Sequence, residues 1–419
     1  MSDRPFKSVF DAKLPDGFPR CASIGGGNLG IASAALINLM GGDCSLFIRG
    51  SKTGQVKLDE IAAHGGTVPL YVQDEGQDTP TVDVNIPLVT PDFPEAVRGR
   101  QLIFVTVPAD GHEKIAQQLA PVLEPGTDIV LHPGQTLGAL AFMDALRFHG
   151  ADEEVLSQVA VSEYTTSVLT TRYEPWEGTK RNRARVSAIK THMPMGTCPA
   201  ARTGNAAELT QALFPNSEIL PMESALASGL MALAAAPHLL ITLLSMRSIE
   251  SGTESRYLYY LEGVTPSIAK LIHMFDAERV TIGQAMGVTT PTLLKSLQGM
   301  YSSPADNLYE LFINNKEAYQ GYYSPESKWT RYFTEEMRTA VIPLLELRDL
   351  VEADCQAVGK PIPTGLRPSL IESAANIVHA MFDGEDDFYK GARTLASMHL
   401  DGLTAAQIAE YARTGCRPS

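Results

Sequence analysis

Two groups of residues in this chain have types and spacings that could do chemistry. The first is Gly25-Gly26-Gly27-Asn28-Leu29-Gly30, which satisfies G-x-G-x-x-G with Gly25, Gly27 and Gly30 in the glycine positions. Such a loop lets the backbone approach a pyrophosphate, and the N–H groups opening the next helix hold its charge. The motif alone is weak, but here Arg20–Ile24 reads as a strand before it and Ile31–Ala35 as a small-residue helix after it. Asn28 and Leu29, within the loop, are expected to lie against the same ligand. At the end of the second strand, where an acidic residue would bind the ribose of NAD, the sequence reads Ile48-Arg49-Gly50-Ser51-Lys52. Arg49, Ser51 and Lys52 suit the 2′-phosphate of NADP, the alternative being a solvated basic turn. NADP is therefore the expected cofactor, with NAD possible. Val107 and Pro108, closing a later strand, are expected to wall the cofactor cleft.

The second group lies in the other half of the chain. It comprises Pro237-His238; the run Glu250-Ser251-Gly252-Thr253 leading to Tyr260-Leu261-Glu262-Gly263-Val264-Thr265-Pro266-Ser267; and Thr330-Arg331-Tyr332-Phe333-Thr334-Glu335-Glu336. An imidazole suits proton transfer because the group titrates near neutrality. A lone histidine in an apolar helix is, by default, a hydrogen-bonded core residue.

The elements that must position these groups follow from periodicity. The first half alternates strand candidates (Cys21–Ile24, Cys44–Ile48, Leu102–Val107, Asp128–Leu131, Val159–Ser162) with helical stretches (Leu29–Met40, Gln55–His64, His112–Leu123, Leu137–His149). This is the pattern of an α/β, Rossmann-type doubly wound sheet. Thr67–Thr90, with Pro, Asp and alternating Val and Ile, predicts an inserted hairpin. After a last helix and strand, Ala206–Phe214 and Glu218–Leu220, strand signals vanish. Ile268–Met286, Met337–Val358 and Leu370–Met381 carry apolar residues at helical spacing, predicting an all-α second domain. The expected division is 1–221, nucleotide-binding, and 222–419, helical, in keeping with 419 residues being long for one core.

Composition narrows the partners. A formal net charge of −14 argues against nucleic acid. Five scattered cysteines (Cys21, Cys44, Cys198, Cys355, Cys416) lack C-x-x-C spacing and fit a reducing cytoplasm. No metal is expected. Met1 to Gly17 lacks the apolar core of a signal peptide. Ala225–Met246 is apolar enough to span a bilayer, yet Pro237 and His238 near its middle predict a buried, broken core helix rather than a membrane span.

With these clusters, together with His132-Pro133-Gly134, Glu163–Arg172, Ala188-Ile189-Lys190 and Phe275-Asp276-Ala277-Glu278-Arg279, nearly the whole chain resembles the octopine/nopaline (opine) dehydrogenase family. The resemblance implies reductive condensation of an L-amino acid with a 2-oxo acid at the expense of NAD(P)H, and the reverse oxidation. It implies that His238 is the catalytic acid/base and Glu336 its carboxylate partner, although some members carry Asp at the latter position. It also implies that Arg331 reaches the cofactor pyrophosphate, a surface salt bridge being the alternative. Glu163 and Thr166 are implied to bind the substrate, a structural carboxylate being the alternative for Glu163. The expected partners are small molecules, with no membrane, and the expected assembly is a homodimer. Two other readings share the first domain: a hydroxy-acid dehydrogenase of ketopantoate reductase or 6-phosphogluconate type, which would use a lysine, and a non-catalytic dinucleotide sensor.

Overall fold

The computed structural model describes residues 8–73, 79–251 and 256–418. Gly252 and Thr253 of the second cluster, and the start of the chain, lie outside the described residues. The chain divides into two compact units: residues 1–134, 138–225 and 412–416 in one, 135–137, 226–411 and 417–419 in the other.

The first unit is built on an eight-stranded sheet. Its strands are β1 (Cys21–Ile24), β2 (Cys44–Phe47), β5 (Val89–Thr90), β6 (Leu102–Val105), β7 (Asp128–Leu131), β8 (Ala160–Tyr164), β11 (His192–Cys198) and β12 (Glu218–Pro221). The order is β12-β11-β8-β7-β6-β1-β2-β5. Every neighbouring pair is parallel except β11 with β8. β1, β2 and β6 are buried along their whole length, which is why they read as unbroken apolar runs. Because β1 is flanked by β2 on one side and β6 on the other, the chain's winding reverses there, and the ends of β1 and β6 form the crevice where doubly wound sheets bind ligands.

The expected hairpin forms from β3 (Thr67–Val72) and β4 (Val82–Asn85), paired antiparallel. It does not stand alone. β9 (Leu169–Pro175) and β10 (Asn182–Ile189) extend it into a second sheet of order β4-β3-β10-β9. Sequence reading assigned β9, β10 and β11 to no strand. In β10 only Ala184 and Val186 are buried, among Arg183, Arg185 and Ser187, so the period-two signal is two residues long.

The second unit is helical, as expected. The apolar stretch at 225–246 breaks into helices Ala225–Gly229 and Ala235–Leu244. Among the described residues, no helix is long and apolar enough to cross a membrane. Pro237 is not the break: it sits in the first turn of the second helix, where its missing N–H is not needed. The break is instead pinned from outside. Arg279, fully buried, donates to the Leu230 and Pro291 carbonyls at 2.8 Å and pairs with Asp276 at 2.7 Å, while Asp276 accepts from the Leu293 N–H at 2.7 Å. Glu278, next to Arg279 in sequence, accepts from the Leu370 and Ile371 N–H groups that open Leu370–Met381. The Phe275–Arg279 motif is thus a clamp at helix ends.

A single long helix runs from Arg331 to Ala357, starting before the predicted Met337, with a wide turn of π type at Met337–Val341. Pro343 accounts for that turn: it has no N–H to give the Thr339 carbonyl four residues earlier, and the helix widens to pass it. The released carbonyl accepts instead from the Thr136 N–H at 3.2 Å.

Candidate active site and cofactor cradle

In the first unit the glycine loop lies between the end of β1 and the helix Asn28–Leu39. Gly25 takes φ +142°, a left-handed conformation, and a Cβ there would lie 2.7 Å from Thr106 Oγ1. At Gly30 a Cβ would lie 1.9 Å from the Gly25 carbonyl oxygen, so only glycine lets the strand end and the helix start approach this closely. Gly27 differs: among the described residues nothing lies within 4 Å of the place its Cβ would take, and as N-cap it offers no side chain to the helix's first N–H groups. Open space above a helix start that no side chain of its N-cap covers fits a pyrophosphate. Asn28 faces another way, its side chain accepting from the Tyr173 N–H at 3.0 Å and tying the helix to β9. Leu29 is half-buried against the core.

Three partners of the loop escaped the sequence reading, two of them, Thr106 and Lys57, because they come from distant segments. Thr106 Oγ1 donates to the Ile24 carbonyl at 2.9 Å. Ser23 Oγ donates to the Gly30 carbonyl at 2.9 Å. Lys57 Nζ, from the helix Lys52–Ala63, donates to the Gly26 carbonyl at 2.6 Å. Val107 packs beside Gly25, its Cγ1 3.2 Å from the position a Cβ would take there, while Pro108 is exposed and opens a short 3₁₀ turn; the strand itself ends at Val105.

Arg49 and Lys52 are exposed at the end of β2, and among the described residues neither forms an ion pair. Ser51 is the N-cap of Lys52–Ala63, its hydroxyl accepting from the Gly54 N–H at 3.2 Å. Glu163, at the end of β8, is buried and accepts from the Ala139 N–H at 2.8 Å, so it anchors the start of Gly138–Phe148. Thr166 accepts from Lys190 Nζ at 3.0 Å. Burial brings the Lys190 ammonium down to about 8. His132 is buried neutral: it accepts from the Val168 N–H at 2.8 Å, and burial, helped by the nearby Lys190 charge, pushes its imidazole down to about 3.

In the second unit His238 and Glu336, 98 residues apart, meet with Nδ1 2.6 Å from Oε1. Glu336 is 1% exposed and, among the described residues, its other oxygen has no hydrogen-bond partner, so the carboxylate's hydrogen bond goes to the ring. A carboxylate at Nδ1 selects the tautomer with the proton there and leaves Nε2 as the exchangeable nitrogen. That nitrogen lies 2.7 Å from the Tyr260 hydroxyl. The ring is held on its face by Tyr332, at 4.3 Å between centroids, and Tyr332 in turn stacks on Tyr259 at 4.5 Å. Tyr259 Oη donates to the His238 carbonyl at 2.9 Å and bonds Thr242 Oγ1 at 2.7 Å, fixing the helix turn that carries the imidazole. Sequence reading quoted Tyr260 and Tyr332 within motifs but gave them no role. Arg331 is exposed and pairs with Glu335 one turn on, at 2.8 Å.

A family model described as NAD/NADP octopine/nopaline dehydrogenase, alpha-helical domain, matches residues 221–361. An opine dehydrogenase of Arthrobacter sp. (strain 1C) is 35% identical over 321 residues, covering 77% of this chain and 81% of that protein. The chain belongs to the opine dehydrogenase family. As a member it is an NAD(P)-dependent oxidoreductase, which sets aside the ketopantoate reductase-like and sensor alternatives. Among solved structures, octopine dehydrogenase with NADH and L-arginine shares the opine dehydrogenase fold at a TM-score of 0.73 and 16% identity, over 96% of this chain and 99% of that one. Yersinopine dehydrogenase with NADP+ bound shares it at 0.66 and 16%, over 94% and 99%.

Proposed function

We propose that this opine dehydrogenase joins an L-amino acid to a 2-oxo acid, with His238 as acid/base and Glu336 as its partner. The observation that carries the assignment is the 2.6 Å contact between an imidazole 12% exposed and a carboxylate 1% exposed with no other hydrogen bond among the described residues. Condensation needs a proton at the 2-oxo oxygen, and an imidazole fixed in one tautomer beside a buried carboxylate can give and retake it. When bound, the reduced nicotinamide supplies hydrogen and two electrons to the imine carbon. Gly25, Gly27 and Gly30 would hold its pyrophosphate, and Arg49, Lys52 and Ser51 the 2′-phosphate of NADP, with NAD the alternative. Two exposed cations that have no carboxylate partner among the described residues support that choice.

Arg331 is proposed to exchange Glu335 for the cofactor's phosphates, and Glu163 and Thr166 to border the amino substrate. Five scattered cysteines without C-x-x-C spacing support a reducing, cytoplasmic setting. The proposed assembly is a homodimer; a monomer in analytical ultracentrifugation would end that part. The reaction itself is tested by oxidation of NADPH and NADH with the common amino acids paired with pyruvate, oxaloacetate, glyoxylate and 2-oxoglutarate. One pair should turn over with an N-(carboxyalkyl)amino acid as product. Turnover with an oxo acid alone, giving the hydroxy acid, would contradict the proposal.

A further inference from the structure

The exchangeable nitrogen of His238 is already taken. Its Nε2 lies 2.7 Å from Tyr260 Oη, so Glu336, His238 and Tyr260 form one continuous line of hydrogen bonds. Tyr260 is the outer end of that line: no other hydrogen bond to its hydroxyl is present among the described residues. Its ring is locked by Tyr319 at 4.7 Å and Phe312 at 5.8 Å, with Tyr259 edge-on at 5.0 Å. A side chain packed on three sides does not swing away to uncover Nε2 without losing these contacts.

We infer that Tyr260 is a further catalytic residue, the group that passes protons between His238 and the substrate's reacting oxygen and nitrogen. The inference rests on the proposed acid/base role of His238. As the neutral amine's lone pair attacks the 2-oxo carbon, the C=O pair moves onto oxygen, which takes the Tyr260 proton. The tyrosine oxygen takes the Nε2 proton of protonated His238, leaving neutral imidazole with Nδ1–H on Glu336. The new N–H₂⁺ group then loses a proton along the same line. That proton returns to the hydroxyl, which leaves as water, and the nitrogen lone pair forms the iminium. One proton from solvent recharges His238 for the next turnover. At no point does the tyrosine need to exist as a free phenolate, in keeping with burial holding its phenol well above the ordinary range.

The test is Tyr260→Phe, which keeps the ring and its packing, measured in single-turnover condensation beside His238→Asn. Equilibrium binding of NADPH, read by fluorescence, serves as the check on folding. The relay predicts that Y260F binds dinucleotide within about twofold of the parent and loses about a hundredfold or more in rate. It also predicts that the parent's rate varies with the square of the deuterium fraction, since two protons move together. Y260F within about threefold of the parent rate, or faster, overturns the relay and leaves Tyr260 as a cover over Nε2. A linear isotope dependence in the parent would overturn it too. Should Y260F fail to bind dinucleotide, Tyr260→Trp and Tyr260→Leu are read in the same way, and either one retaining the parent rate sinks the relay. If H238N itself keeps the parent rate, the histidine assignment has failed, and that outcome is distinct from H238N inactive with Y260F active.

Discussion

Around Gly25–Gly30 the site is made of backbone. The residues that matter are those with no side chain, and six consecutive positions supply the left-handed turn, the close approach to Thr106 and the open space above the helix start. Around His238 the site is made of side chains from four segments, Ala235–Leu244, Tyr259-Tyr260, Leu308–Tyr319 and the start of Arg331–Ala357. The difference teaches where redundancy lies. A backbone cradle depends first on its glycines, whereas the histidine line depends on each side chain and on the buried clamp of Asp276, Glu278 and Arg279 that sets the helix ends.

The sharpest way to break this comparison is to ask whether the two sites fail separately. His238→Asn is expected to lower kcat by roughly a hundred- to ten-thousandfold while leaving the NADPH dissociation constant within about twofold. Equal losses in both would mean the histidine belongs to the cofactor site. Within the cradle, Gly30→Ala and Gly27→Ala should part company. A methyl at Gly30 meets the Gly25 carbonyl, so thermal unfolding should show a loss of about 1–3 kcal/mol along with dinucleotide binding. At Gly27 a methyl enters open space, so the fold should keep its stability and only the dinucleotide should bind more weakly. Equal destabilisation by both would show that Gly27 serves the fold alone.

Arg49→Asp should shift the preference between NADPH and NADH by about ten- to a hundredfold toward NADH, because a charge-assisted phosphate contact is replaced by repulsion. A parent that already prefers NADH would refute the basis of that prediction. The smallest effect is expected at His132. Its folded value, about 3, lies below the ordinary 6.5, so its contribution to stability is complete above pH 6.5 and drains away as pH falls toward 3. Between pH 6.5 and 5 the parent should lose stability faster than His132→Gln, whose amide can still accept from Val168, with the difference in slope rising from about 0.7 toward about 1.4 kcal/mol per pH unit. Parallel urea midpoints for the two proteins across that window would contradict a buried neutral imidazole.

The same contrast governs what could be read from the amino-acid order. The cradle was legible because its glycines are local and their spacing is set by one turn. β1, β2 and β6 were legible because burial on both faces makes them continuous apolar runs. β9 and β10 were not, since their second faces carry arginines and serines and each buries little. His238 and Glu336 came only from likeness to a family, because nothing in the local sequence says that residues 98 apart share a hydrogen bond. Tyr260 was visible as a letter in a motif and invisible as a partner. Its position at Nε2 is a property of the packed rings around Phe312 and Tyr319, on the third and fourth helices after it. The wide turn after Glu336 was in principle readable from Pro343, which cannot continue an ordinary helix.

The central claim, that His238 and Glu336 act as one acid/base unit, is tested most directly by a double-mutant cycle on kcat with His238→Asn, Glu336→Gln and the two combined. Each single change should lower turnover, and the double mutant should be no slower than about twice the more impaired single one, since members of a unit are not additive. Losses that multiply, with the double mutant slower by the product of the two, would show that the carboxylate and the imidazole work independently and that their 2.6 Å contact is structural.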